Sequence, residues 1–323
     1  MKVYLITGGA GFIGSNFIKY LLSKGENTRI INVDKLTYAG SLDNISFARN
    51  MGNHIFIKED ICNKREIDKI MNNFKPDYIV NFAAESHVDR SIEDSEDFVK
   101  TNVLGTGILL QSALKYGIKK FVQISTDEVY GSINKGLFTE ESPLKPNNPY
   151  SASKASADLL VQSFYNTYKL PINITRCTNN YGLNQHFEKL IPTVIKHCLE
   201  GKNIPVYGDG KNIRDWIYVC DHCSAIYTVV QKGLIGEVYN ISADMEMQNI
   251  EIIRFIIKEI YKLLSQSDER KKYINENLIQ YVEDRKGHDR RYAIDASKIK
   301  NTLNWSAVQN LEEGLRKTIR SYL

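Results

Sequence analysis

An α/β fold, a doubly wound parallel sheet with a second, smaller mixed α/β lobe, is what this chain predicts, and three observations predict it. Short apolar runs at 2–7, 29–33, 54–58, 78–81, 119–125 and 172–176 alternate with segments of helical spacing. Such runs lack polar alternation, as strands covered by helices on both faces do. Glycines at 8, 9, 11 and 14 follow the first run at once. Beyond about 176 the rhythm changes: helices near 187–200, 221–232, 249–265 and 310–322 are separated by short runs at 204–207, 237–241 and 279–282. The predicted division is therefore 1–176 and 177–323, with parts of 211–243 packing back on the first unit. The second lobe is expected to close over the sheet's carboxyl edge, where ligands bind in open α/β folds.

Taken in order, the first element is a buried strand over Val3 to Ile6. The turn after it reads Gly9-x-Gly11-x-x-Gly14, and Phe17, Ile18, Leu21 and Leu22 then fall at helical spacing. Strand, glycine turn and helix make the first half of a Rossmann-like dinucleotide-binding unit. Missing side chains at Gly8, Gly11 and Gly14 let a pyrophosphate approach N–H groups at the positive end of a helix. The second run ends in Asp34, about twenty positions past Gly14, where an acid accepts from ribose hydroxyls. A bare acid there favours NAD over NADP, whose 2′-phosphate would meet a like charge.

The third run closes on Glu59-Asp60-Ile61, placing Asp60 either at an adenine amino group or simply in a loop. The fourth runs into Phe82-Ala83-Ala84-Glu85-Ser86-His87, where small Ala83 and Ala84 let backbone lie beside a cofactor. His87 reads as a hydrogen-bonded structural histidine. The helical connections at 94–116 and 150–169 carry Leu109, Leu110, Leu114, Leu159, Leu160 and Phe164.

Composition excludes several classes. A net charge of +4 with interspersed signs gives no case for nucleic acid. No apolar stretch reaches membrane-spanning length, and the amino terminus enters a strand directly, so neither a membrane span nor a secretory leader is expected. Five scattered cysteines suggest a reducing, cytoplasmic setting. Cys220-x-x-Cys223 lacks a second pair at zinc spacing, so no metal site is expected, and Asp221 reads as a helix N-cap.

The chemistry lies on the fifth run, which delivers Ser125-Thr126-Asp127-Glu128 to the same edge. Farther on, Tyr150 and Lys154 lie four apart on one helical face. A free tyrosine has a pKa near 10, so a basic phenolate needs a neighbouring cation. Lys154 and a positively charged nicotinamide would each supply one. Asn102 on the preceding helix strengthens the pattern.

The glycine turn, Ser125/Thr126 and Tyr150-x-x-x-Lys154 resemble the extended short-chain dehydrogenase/reductase family. Further stretches resemble its nucleotide-sugar 4,6-dehydratase branch: Val33 to Gly40, Ala83 to Ile92, Ser125 to Gly131, Asn179 to Gly182, Glu188 to Pro192, Arg214 to Trp216 and Gly287 to Asp295. Related epimerases usually lack the Asp127-Glu128 acid pair. The resemblance spans nearly the whole chain. It implies conversion of dTDP-glucose to its 4-keto-6-deoxy derivative with NAD recycled internally. Thr126, Asp127, Glu128, Tyr150 and Lys154 are then catalytic, with Glu128 as the C5 base and Asp127 as the acid.

The same resemblance extends the cofactor contacts to Phe12, Ile13, Lys35, Thr37, Ile61 and Thr101. It puts substrate contacts at Ser86, Thr126, Asn179, Lys189, Leu190, Arg214, Asn249, Arg285 and His288. Arg214 is the best placed for a bidentate grip on the diphosphate. Leu183, Phe187 and Lys286 stand where the family usually has proline. A homodimer through 94–116 and 150–169 is also implied, as is supply of deoxysugars such as rhamnose. Rival readings are an epimerase, a decarboxylase or another dehydratase on this scaffold, and, from a different class, a non-catalytic NAD(H) sensor.

Overall fold

The computed structural model describes residues 1–323. Seven strands form one parallel sheet: β1 (Lys2–Thr7), β2 (Thr28–Asp34), β3 (His54–Lys58), β4 (Tyr78–Asn81), β5 (Lys120–Thr126), β6 (Ile172–Cys177) and β10 (Val238–Ile241). Their spatial order is β10-β6-β5-β4-β1-β2-β3, so the winding reverses between β1 and β4. A crevice opens at that switch point, outside the carboxyl ends of the two strands. Two apolar layers cover the sheet. One joins Ile6, Ile30 and Val122 to Phe17 and Ile18 of the first helix and to Ile226 and Val229 of the helix Val219–Lys232. The other joins Leu5, Ile31 and Phe121 to Ile67, Ile70 and Met71, Leu109 and Leu110, and Val161.

A separate core of 20 buried residues gathers Ile191, Val194 and Ile195, Ile252, Ile253 and Ile256, and Leu311, Leu315 and Ile319. These lie on the helices Leu190–Glu200, Asn249–Leu263 and Leu311–Arg320, whose apolar residues recur three and four apart. Small sheets edge this core. One orders β11 (Glu246–Gln248), β9 (Ile213–Tyr218) and β7 (Asn179–Tyr181), and the other pairs β12 (Ile279–Val282) with β8 (Ile204–Tyr207).

Two local expectations change. Asp221 is not the N-cap: the helix starts at Val219 with Tyr218 as cap, and Asp221 lies inside the first turn. Its carboxylate accepts from the backbone N–H of Val308 and Gln309, at 3.0 and 2.8 Å. The segment 94–116 is not one regular helix either. A π-helical turn spans Val99–Gly105 before the α-helix Thr106–Tyr116. There the Asn102 side chain accepts from Glu85 N at 2.9 Å and donates to Glu85 O and Ser153 Oγ. Gly105 meets Ile61, where a Cβ would come within 2.5 Å of the side chain. The distorted turn thus fastens the β4 exit to the helix Pro149–Tyr168.

Candidate active site

The sheet's carboxyl edge opens onto a cavity of about 310 Å³. The turn Gly8–Gly14 forms its floor. Gly8 has φ +68°, and a Cβ there would lie 2.6 Å from the Ala83 nitrogen, so turn and β4 exit are in backbone contact. A Cβ on Gly14 would lie 2.3 Å from the Gly8 carbonyl oxygen. Gly11 differs: a Cβ would meet only the Gly8 oxygen, at 3.3 Å, which a small shift relieves. Its bareness serves the open side, where the helix beginning at Phe12 has no side-chain cap.

All the other residues expected to hold a cofactor line this same cavity: Phe12, Ile13, Lys35, Thr37, Asp60, Ile61, Ala83, Ala84 and Thr101, with Asp34, Tyr150 and Lys154. Asp34 is fixed by two backbone donors, Ala10 N at 2.9 Å and Leu36 N at 2.8 Å. Lys35 pairs with Asp60 at 2.9 Å. His87 is structural: its Nδ1 caps the short helix Val88–Glu93 by accepting from Arg90 N.

Ser125, Thr126, Asp127 and Glu128 line the cavity where β5 ends, opposite Tyr150 and Lys154. The helix carrying the last two is started by Asn148, whose Oδ1 accepts from Ser151 N at 2.9 Å, and by Pro149. Ser91 Oγ accepts from Tyr150 N at 3.2 Å. The Lys154 ammonium donates to Ile124 O at 2.6 Å, and burial depresses its pKa while Asp158 opposes. Burial raises the Tyr150 phenol well above its ordinary value, and the Glu128 and Asp127 carboxylates push the same way. Lys154 and a positively charged nicotinamide would each favour a phenolate here. The glycine cradle and the polar groups around it fit NAD.

The two carboxyls differ. Burial drives Asp127 well above the carboxylate range, with Glu128 and Asp215 adding to it. Its Oδ1 accepts from the Thr126 hydroxyl at 3.2 Å, while Oδ2 is buried without a partner. Burial also raises Glu128, but the Arg214, Lys189 and Arg285 cations act against the rise. Both carboxyls are thus pushed upward by burial, and the opposing cations are gathered chiefly at Glu128.

A second cavity of about 160 Å³ adjoins the first, sharing Ser86, Glu128, Asn179, Glu188 and Lys189 with it. Leu190, Arg214, Asn249, Arg285 and His288 complete the expected substrate set on its wall. Lys189 Nζ donates to Ser86 O at 2.8 Å. Arg214 donates to Ile213 O at 2.7 Å and Asp289 O at 2.9 Å, its guanidinium 4.1 Å from the Tyr292 ring centroid. Asn249 Oδ1 and Trp216 Nε1 are buried without protein partners. These are polar atoms that a ligand would satisfy.

A model of the GDP-mannose 4,6 dehydratase family matches residues 5–318. The chain belongs to this family. It is 46% identical over 333 residues to a dTDP-glucose 4,6-dehydratase of Xanthomonas campestris, covering 100% of this chain and 93% of the relative. It is 50% identical to the low-salt glycan biosynthesis protein Agl12 of Haloferax volcanii, over 99% of this chain and 98% of that one. Among solved structures, DesIV, a dTDP-glucose 4,6-dehydratase of Streptomyces venezuelae with NAD bound, superposes with TM-score 0.92 at 42% identity. That match covers 99% of this chain and 96% of DesIV. A Thermotoga maritima UDP-glucose 4-epimerase reaches TM-score 0.89 at 29% identity, covering 99% and 98% of the two chains. The scaffold is thus shared with epimerases, and side chains must separate the two chemistries.

Some site residues escaped the sequence reading. Tyr292 donates to Asp289 Oδ2 at 2.8 Å, and its oxygen lies 3.5 Å from Glu128 Oε2. Asn147 donates to the other Asp289 oxygen, at 2.5 Å. Trp216 and Glu188 also line the second cavity. Tyr292, Trp216 and Glu188 sit inside stretches the resemblance highlighted. Family match marked them, but no spacing rule tied them to Glu128 or to a ligand.

Proposed function

We propose that this protein is a NAD-dependent hydro-lyase that converts dTDP-glucose to dTDP-4-dehydro-6-deoxyglucose and water. The observation that carries the reading is the carboxyl pair Asp127 and Glu128, set beside Tyr150 where two cavities meet, with three cations gathered toward Glu128. NAD, when bound, supplies reversible hydride acceptance. Gly8, Gly11, Gly14, Asp34, Ala83 and Lys154 would hold it.

The chain's own residues do the proton work. Tyr150 withdraws the proton of the sugar 4-hydroxyl as C4 is oxidised. The resulting 4-ketone acidifies the C5 hydrogen, which the Glu128 carboxylate removes. Asp127, in its protonated form, gives its proton to the departing 6-hydroxyl, which leaves as water, and Glu128 returns a proton to C5 as C6 is reduced. Thr126 fixes both acids, donating to Asp127 and accepting from the Glu128 backbone N–H at 3.3 Å. Arg214, Lys189 and Arg285 provide the charge for the diphosphate, Asn249, Leu190 and His288 line the nucleotide end, and Ser86 and Asn179 face the sugar. An epimerase needs no acid to expel water, so Asp127 favours elimination.

A homodimer belongs to this proposal. Val99, Leu104 and Leu159 are large apolar residues left 54%, 54% and 56% exposed along the two helical connections. We also place the protein in the cytoplasm, in agreement with its free thiols, with a product of the class that feeds rhamnose-type deoxysugars. Incubation with dTDP-, UDP- and GDP-hexoses tests the function. The expected outcome is a nucleotide sugar lighter by one water, formed fastest from dTDP-glucose. A product of unchanged mass would instead mark an epimerase.

A further inference from the structure

Residues 182–189 leave β7 and run along the edge of the first cavity to the helix Phe12–Ser23. They include no proline to stiffen them, so side chains must fasten them there. Asn16 lies buried inside that helix, a place asparagine does not favour. Its amide nitrogen donates to Phe12 O at 2.9 Å and, across to the second segment, to Leu183 O at 2.8 Å. Asn184 adopts φ +69°, the left-handed region that asparagine tolerates better than most residues. Its amide nitrogen donates to Ser15 Oγ at 3.1 Å and lies 3.5 Å from Asn44 O. Asn44 in turn donates to Ala10 O, in the glycine turn, at 2.9 Å. Gln185 and His186 line the cavity itself. Gln185 Nε2 donates to Asn180 O at 2.9 Å, while its Oε1 is buried without a protein partner, a polar atom that a ligand would satisfy. His186 meets the Tyr38 ring edge-on, with centroids 5.5 Å apart.

We infer that residues 183–186 form a clasp that keeps the cofactor in its cavity through the whole reaction cycle. The inference rests on the reading of the first cavity as a NAD site. In that cycle the cofactor is reduced and then reoxidised on the same sugar, so catalysis never requires it to leave. Escape of the reduced form after the first step would strand a 4-ketone and leave the enzyme idle. Both pins of the clasp reach the first two turns of the helix that follows Gly11, so opening that side of the cavity breaks them. Asn16, Ser15 and Asn184 are thus positioning residues, acting on how long the cofactor stays and not on the reacting carbons.

The test is exchange of bound NAD for isotope-labelled NAD added in excess, read by mass spectrometry of the protein-bound cofactor after rapid desalting. Asn184→Gly keeps the backbone conformation and removes only the pin. It is expected to speed exchange about 3- to 10-fold, with dTDP binding by calorimetry within about twofold of wild type. Ser15→Ala, which removes the acceptor on the other side, should match it, so the pair decides the matter even if one variant fails to fold. Combined, the two substitutions should speed exchange no more than either alone. During turnover of dTDP-glucose, lactate dehydrogenase and pyruvate consume any NADH that escapes, and each variant should yield more lactate per turnover than wild type. Exchange at the wild-type rate in both variants would overturn the clasp. Faster exchange matched by an equal loss of dTDP affinity would overturn it too, marking a general loosening of the lobes. Wild type that holds no NAD at all would bring down the cofactor reading itself, and the clasp with it.

Discussion

Asp127 and Glu128 are consecutive in sequence but meet different surroundings, and that difference produces their division of labour. Asp127 has one hydroxyl donor and an orphaned oxygen, whereas Glu128 faces three cations. The native Asp127 holds its proton to a higher pH than the unfolded chain does. Between the ordinary carboxylate range and the raised value the native state binds more protons, so stability is lost as pH rises through that interval. Asp127→Asn removes this cost. It is expected to melt higher than wild type at pH 7, with the gap closing as pH falls toward the ordinary carboxylate range. Its turnover should fall about 10²–10⁴-fold. A melting scan across pH, paired with kinetics, checks both signs. Glu128→Gln is expected to stop exchange of the C5 hydrogen with solvent deuterium, read by NMR, while dTDP binding stays near normal. Exchange at the wild-type rate would remove Glu128 from the role of base.

At the scale of elements, Asn102 connects three parts of the site. Lodged in the π-helical turn, it ties the Glu85 backbone at the β4 exit to Ser153, three residues beyond Tyr150. Asn102→Ala would leave the part-buried backbone N–H and C=O of Glu85 without this partner, at a cost of about 1–3 kcal/mol. Urea unfolding should show that loss, and kcat/KM should drop because Tyr150 and the cofactor wall no longer share a fastening. The sheet strands and the Tyr150 helix were legible in sequence because each is written locally, in an apolar run, a glycine turn or an Asn-Pro start. Thr126, Asp127, Glu128, Tyr150 and Lys154 follow from those elements. The π turn was not legible: residues 99–116 carry ordinary helical spacing, and the distortion answers to partners at 61, 85 and 153. β9 was missed for a similar reason. Its Arg214 and Asp215 are charged but buried against Asp289, Ser242 and Met245, which lie far away in sequence. The link from Asn147 through Asp289 and Tyr292 to Glu128 likewise exists only once residues 147 and 289–292 meet.

At the scale of the whole molecule, residues beyond 176 supply Lys189, Arg214 and Arg285 to the second cavity, while the end of β5 supplies the acids and the helix Pro149–Tyr168 the phenol. Function therefore depends on the lobes meeting along the shared wall of Ser86, Glu128, Asn179, Glu188 and Lys189. The exposed apolar helices point to assembly as well. Leu159→Glu is expected to convert a dimer to a monomer in light scattering, leaving the melting temperature of the monomer close to that of wild type. The central claim is that one site oxidises C4, expels water across C5 and C6, and returns the same hydrogen to the sugar. Incubating the protein with dTDP-glucose deuterated at C4 tests it most directly. The account predicts deuterium at C6 of the 6-deoxy product, whereas deuterium retained at C4 or lost to solvent would contradict it.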